Sequence, residues 1–206
     1  MKLIDLTHTF TDHMPIYPGD PKPTLVQITE LFKDGFVDHE LKIGMHVGTH
    51  MDAPLHMIEG GKKLSDYEVD KFFGPGVLID ARDKSEISEE LLVDLEINPG
   101  SIVLVLTGFS QKFGVSEEYF ENYPTFTEGF ATKLLELGVS MVGTDTPSPD
   151  KEPFALHKIL LQKEILIIEN LTNLESLLKV SDFQVIALPV KLDTEAAPAR
   201  VVAQIL

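Results

Sequence analysis

Three of the chain's seven histidines fall in one short stretch, His46-Val-Gly-Thr-His50-Met-Asp52-Ala-Pro54-Leu-His56, with an aspartate among them. At a usage of roughly 2% per residue, a window of that length expects about 0.2 histidines, so the cluster is a chemical signal. Imidazole and carboxylate ligands without sulfur suit Zn²⁺ or Mn²⁺, and the chain has no cysteine to offer a thiolate. In an extended segment, positions 50 and 52 share a face about 6.6 Å apart at the backbone, so His50 and Asp52 can converge on one ion. His46 and His50 would stand ~13 Å apart in a straight strand, too far to share it. The chain must therefore bend between them, and Gly48 is placed to permit the bend. A helix would also bring positions 46 and 50 together, but Gly48, Thr49 and Pro54 disfavour one. Three protein ligands with open positions form the pattern of a catalytic site rather than a closed structural one. His56 stands outside this tight set and is a candidate general acid or base beside it.

A second supply of ligands lies downstream. His157 sits on or near a short helix, and Glu169 closes the apolar run Ile165-Leu-Ile-Ile168. A carboxylate after four buried aliphatics is costly unless paired or metal-bound. It can also simply emerge into solvent at the strand end, and spacing alone leaves both readings open. His8, His13 and His39 stand alone in the sequence and read as ordinary surface or core histidines.

The elements that must position these residues are mostly strands. Short apolar, β-branched runs predict strands at Lys2–Phe10, Thr24–Leu31, Val37–Met45, Gly76–Ala81, Ser101–Leu106, Ser140–Gly143, Glu164–Glu169, Gln184–Leu192 and Val201–Leu206. The continuously apolar Ile102–Leu106 and Ile165–Ile168 suit strands covered on both faces. Pro189 pushes its own run towards an edge or a bulge. Helical spacing predicts helices over Ser88–Leu95, Thr127–Leu137 with Gly138 as its terminator, Phe154–Gln162, and within Asn170–Leu178 with Thr172 or Asn173 as cap. Pro and Gly cluster at 14–21 and 146–150 as irregular loops, because strand patterns resume at once on either side. The order reads as an α/β domain with a strand-rich first third.

The 206 residues suit a single domain over 1–206. A net charge of −16, from 33 acids against 17 bases, repels phosphate backbones and argues against a nucleic-acid partner. No apolar run approaches the roughly 18 residues of a membrane span, and MKLIDLTHTF lacks a signal-peptide h-region. The expectation is a cytoplasmic protein acting on a small molecule.

The segment 46–56 matches, at every fixed position, the H-x-G-T-H-x-D-x-P-x-H signature of the metal-dependent cyclase family, which includes bacterial kynurenine formamidases and isatin hydrolases. The resemblance runs nearly the whole length. Tyr17-Pro-Gly-Asp-Pro21 is similar to the family's N-terminal loop, Gly143-Thr-Asp-Thr-Pro-Ser148 to its G-x-D-T-P-S segment, Glu169-Asn-Leu171 to its E-N-L, and Ala196-Ala-Pro-Ala-Arg200 to its C-terminal A-P-x-R turn. The resemblance implies one twisted mixed β-sheet with flanking helices, of the swivelling β/β/α type, in a homodimer or higher oligomer. It implies that His46, His50 and Asp52 bind one ion, that Asp52 bridges to a second held by His157 and Glu169, and that His56 is the catalytic acid/base. It implies hydrolysis of an amide-type C–N bond, foremost in an N-formyl aryl amine such as N-formylkynurenine. A cyclic amide or imide such as isatin is the alternative, and a metal-dependent binder without turnover a further one. Tyr17 stands where kynurenine formamidases often carry Trp, and this chain has no Trp, so the substrate wall remains aromatic with a different size and polarity.

Overall fold

The computed structural model describes residues 2–115 and 119–206. Its centre is an eight-stranded sheet in the order β1 (Lys2–Asp5), β12 (Ala196–Ile205), β11 (Phe183–Pro189), β5 (Phe73–Asp80), β7 (Ile102–Leu106), β9 (Met141–Thr144), β10 (Leu166–Glu169), β4 (His50–Asp52). β5, β7, β9 and β10 run parallel to one another; the remaining pairings are antiparallel. β12 also pairs with β4, which closes the sheet into a barrel. Two small two-stranded sheets stand apart: β2 (Thr24–Gln27) with β3 (His39–Lys42), and β6 (Glu86–Ile87) with β8 (Thr125–Phe126).

The apolar runs explain the layers. Successive side chains of a strand face opposite ways. In β7, Ile102, Leu104 and Leu106 join one core with Met51 of β4, Val185 of β11 and Val201 of β12, so this core fills the barrel. Val103 and Val105 join a second core with Val142, Ile167 and the helical residues Phe130, Leu134, Leu160 and Leu161. Both faces are buried, as unbroken Val/Ile/Leu runs require, and each buried aliphatic contributes roughly 1.5–3 kcal/mol. The helices Glu128–Leu137 and Ala155–Gln162 form the outer layer. In the first, the Thr127 hydroxyl accepts a hydrogen bond from the Phe130 N–H, and Gly138 ends the helix at φ +66°.

Four expectations need correction. Ser88–Leu95 forms only a 3-10 turn, Glu89–Leu92, and Ser88 makes no side-chain cap. Asn170–Leu178 likewise holds only the 3-10 turn Leu174–Leu177, because Asn170 and Asn173 take left-handed φ values of 56° and 58° that break a helix at its start. Ala196–Arg200 is not a turn but the first half of β12. There the strand passes from β4, paired through Ala196–Pro198, to β11, paired from Ala199 onward. Pro198 sits at that change of partner, where a missing N–H is tolerated. The strand expected over 24–31 is shorter and runs into a helical turn, Leu31–Asp34, closed by Gly35 at φ +83°.

Candidate active site

Strand register gathers the site. His50 lies opposite Glu169 and Asp52 opposite Ile167 across β4 and β10. Directly opposed residues share a face, and Ile167 belongs to the outer core. His50, Asp52 and Glu169 therefore project from the outer face of the sheet, while Met51 between them points into the barrel core. The helix Ala155–Gln162 packs over that face and buries Leu156, His157, Leu160 and Leu161. His157 shares the buried stripe with Leu160 and Leu161, three and four residues on, so the helix delivers its imidazole to the two carboxylates. His46 arrives from the preceding loop after a bend at Gly48, φ +67°. The Pro54–His56 3-10 turn, with Pro54 in its first turn, brings His56 back beside His46, ring centroids 4.2 Å apart.

Distances define one connected cluster. Asp52 Oδ1 lies 3.0 Å from His46 Nδ1 and 3.5 Å from His50 Nε2, and Asp52 Oδ2 lies 3.8 Å from His157 Nε2. Glu169 reaches His50 Nε2 at 3.3 Å and His157 Nε2 at 3.2 Å. Two three-residue groups, each with ligand atoms mutually within 4.8 Å, share Asp52: His46–Asp52–His56 and His50–Asp52–Glu169. His56 thus stands within reach of the ligands, closer than its spacing foretold.

The backbone sets the tautomers. His50 Nδ1 lies 2.8 Å from the Gly48 carbonyl. A carbonyl only accepts, so Nδ1 carries the proton and Nε2 faces the carboxylates. The same carbonyl accepts from Asn170 Nδ2 at 3.0 Å, and Thr49 Oγ1 donates to the Asn170 carbonyl at 2.6 Å, pinning the bend. His157 Nδ1 pairs with the buried Asp150 carboxylate, which also accepts from the Leu156 N–H at 2.7 Å.

The electrostatics call for positive charge. Burial alone would lower the His50 and His157 pKa values, but the carboxylates outweigh it and hold them up at about 9 and about 10. Burial alone would raise Asp52 and Glu169, yet the surrounding imidazoles hold both below the usual carboxylate range. His56 is lowered, by burial first and then by His46 and His157, with Asp52 opposing. His50 Nε2, both Asp52 oxygens and Glu169 Oε1 are buried without a hydrogen-bond partner. Four such atoms in one spot, on groups whose burial costs several kcal/mol each, fit a divalent cation, which would take the place of the protons on the imidazole Nε2 atoms.

A cavity of about 220 Å³ opens over the cluster. Its floor includes Asp52, His56, His157 and Glu169; its walls include Tyr17, Phe120, Met57 and Phe154. Tyr17 stands edge-on to Phe120 with ring centroids 5.6 Å apart. Of the isolated histidines, His8 is stacked on Phe113 at 3.7 Å, and His13 and His39 are exposed.

Sequence reasoning missed Asp150 and Glu195. Glu195 Oε1 lies 3.6 Å from His46 Nε2, brought there by the β4–β12 pairing. Asp150 was legible as an acid just before an apolar helix, where the first-turn N–H groups need an acceptor. A carboxylate behind a ligating imidazole orients the ring and raises its basicity. Asp150→Ala is expected to weaken metal affinity about 10–100-fold, with Asp150→Asn less severe because it keeps an acceptor; competition titration against a chelating dye measures both. Equal affinity in Asp150→Ala and the parent would exclude that role.

A buried group of imidazoles and carboxylates with orphaned ligand atoms, opening to an aromatic-walled cavity, is a site that could hold a metal ion beside a small molecule. The Cyclase family model matches residues 4–151. The kynurenine formamidase of Bacillus cereus is 30% identical over 204 residues, covering 97% of this chain and 95% of that protein. A solved structure described as a potential metal-dependent hydrolase with cyclase activity is 30% identical with TM-score 0.81, covering 100% and 98% of the two chains. Isatin hydrolase A of Labrenzia aggregata, bound to benzyl benzoate, shares the fold at TM-score 0.88 and 24% identity, covering 99% and 93%. The chain belongs to the Cyclase family, and it is a hydrolytic enzyme.

Proposed function

We propose that this enzyme hydrolyses the amide of an N-formyl aryl amine, N-formylkynurenine foremost, to the free amine and formate. The supporting observation is the set of four orphaned ligand atoms, of which those of Asp52 and Glu169 belong to residues lining an aromatic-walled cavity; the substrate follows the name of the 30% identical relative. His46, His50, Asp52, His157 and Glu169 would hold two divalent cations, zinc or manganese; Asp52 belongs to both groups of candidate ligands. Bound there, the metal would act as a Lewis acid towards the carbonyl oxygen and ionise water near neutral pH. The protein's own groups do the rest. Tyr17, Phe120 and Phe154 clasp the aryl group. His56, kept neutral at pH 7 by its lowered pKa, takes the proton of the attacking water and then gives it to the departing nitrogen. Asp150 and the Gly48 carbonyl hold the His157 and His50 rings in place.

A second reading, ring opening of a cyclic amide such as isatin, is favoured by the modest cavity volume, about 220 Å³, which suits a compact bicycle.

Dialysis against a strong chelator is expected to abolish turnover, and Zn²⁺ or Mn²⁺ to restore it; turnover that survives verified metal removal would overturn the metal assignment. On the restored enzyme, kcat/KM for N-formylkynurenine above that for isatin supports the first reading, and the reverse order the second. Tight binding of either without product over hours would identify a binder.

A further inference from the structure

The segment Tyr17-Pro18-Gly19-Asp20 is a tight turn at the rim of the cavity. The Asp20 N–H donates to the Tyr17 carbonyl at 3.0 Å, and Gly19 takes φ +100°. Proline before a glycine of positive φ makes this a type II turn: proline pre-sets the second position, and glycine takes the third without strain. The first and fourth residues of such a turn have Cα atoms less than about 7 Å apart. Both of them, Tyr17 and Asp20, line the cavity. The turn therefore presents an aromatic ring and a carboxylate side by side, at a fixed spacing, to whatever the cavity holds.

The cavity lining contains three acids, Asp20, Asp52 and Glu169, and Asp20 is the one that the metal centre does not use. Among the described residues no lysine or arginine lines the cavity. The lysine and arginine ion pairs lie elsewhere, on Glu164, Asp193, Asp80, Glu136 and Asp5. Asp20 is half-buried, so water screens its charge only in part. The Phe120 ring, edge-on to Tyr17, adds an apolar wall to the same cavity. A carboxylate placed there without a cation of the protein's own favours a cation on the ligand and disfavours an anion.

We propose that Asp20 is a specificity-determining residue: its carboxylate receives a primary ammonium carried on a short side chain of an aryl substrate whose ring lies against Tyr17. The inference rests on the arylformamide reading of the site and adds a sorting rule to it. Ammonium-bearing arylformamides are taken in preference to neutral ones and to acids that lack the ammonium. N-formylkynurenine carries such an ammonium on the short chain attached to its ring, and isatin carries none.

Equilibrium binding to the metal-loaded enzyme tests this without turnover. Calorimetry is expected to show kynurenine bound about tenfold tighter than its desamino analogue, the difference of one charge-assisted hydrogen bond at a partly exposed site. In Asp20→Asn that ratio is expected to fall to about one. Asp94→Asn, which neutralises an exposed acid outside the cavity lining, controls for net charge and is expected to keep the parent ratio. No preference in the parent, no measurable binding of kynurenine, or an unchanged ratio in Asp20→Asn would each overturn the proposal. In turnover, Asp20→Asn is expected to raise KM for N-formylkynurenine about tenfold relative to KM for formanilide, which has no ammonium, with the effect in KM rather than kcat. Equal losses on both substrates would give Asp20 a merely structural place in the rim and sink the idea. A parent enzyme that hydrolyses neither formamide would end the arylformamide reading, and the binding ratio would still decide the role of Asp20.

Discussion

Under the proposed metal-dependent mechanism, replacing Asp52 by asparagine is expected to abolish metal binding and reduce kcat/KM on the order of 10³-fold or more, the loss of several kcal/mol of Lewis-acid stabilisation. The physical reason lies in the position of this one side chain. Its two oxygens reach three imidazoles, those of His46, His50 and His157, at 3.0 to 3.8 Å, and it is common to both ligand groups. Asparagine keeps the shape but leaves one acceptor and no charge, so both halves of the site lose their shared anion. The fold should survive, since Asp52 projects away from the barrel core that Met51 helps to fill. Elemental analysis of the purified variant checks the metal, and circular dichroism checks the fold. Full metal occupancy with intact activity would remove Asp52 from the centre of the chemistry.

His56→Ala carries the second large effect. A positioned acid/base is worth typically 10²–10⁴-fold, and a loss in that range is expected in kcat with metal content nearly unchanged. The parent should show an acidic limb in its pH–rate profile below the ordinary histidine value of about 6.5. The sign follows from the environment: burial and the neighbouring His46 and His157 lower the His56 pKa, and a nearby cation would push it the same way. Activity that needs the neutral ring is therefore lost as pH falls through the lowered value, and the limb should vanish in His56→Ala. The geometry gives the test a sharp alternative, because His56 also groups with His46 and Asp52 within 4.8 Å. A variant that loses one ion along with its activity would make His56 a ligand instead of a proton carrier.

Local chemistry in the sequence reached further than local conformation. The 46–56 cluster needed only residue types and spacing, and the bend it demanded appears at Gly48, φ +67°. The Thr127 cap and Gly138 terminator were legible because capping is a contact within one turn. The same local reasoning overextended the helix expected over 170–178, since nothing in the residues around Asn170 reveals that its backbone is held left-handed. There its side chain bonds the Gly48 carbonyl and the Tyr119 hydroxyl, both far away in sequence.

What the sequence determined by itself was an inventory: three imidazoles and a carboxylate in eleven residues, apolar runs that must be covered on both sides, and an acid at the end of one of them. Whether Glu169 met the cluster or ran out into water was decided only by tertiary structure. The antiparallel register sets it opposite His50, and a slip of one residue would have turned it into the barrel. Asp150 and Glu195 joined for the same reason, through a helix docked on the sheet and a strand that changes partner at Pro198. The pairings of β4 with β10 and with β12 span more than a hundred residues, and no local propensity encodes them; Asp150 lies only seven residues from His157, and the docking of that helix is what carries the pair to the sheet.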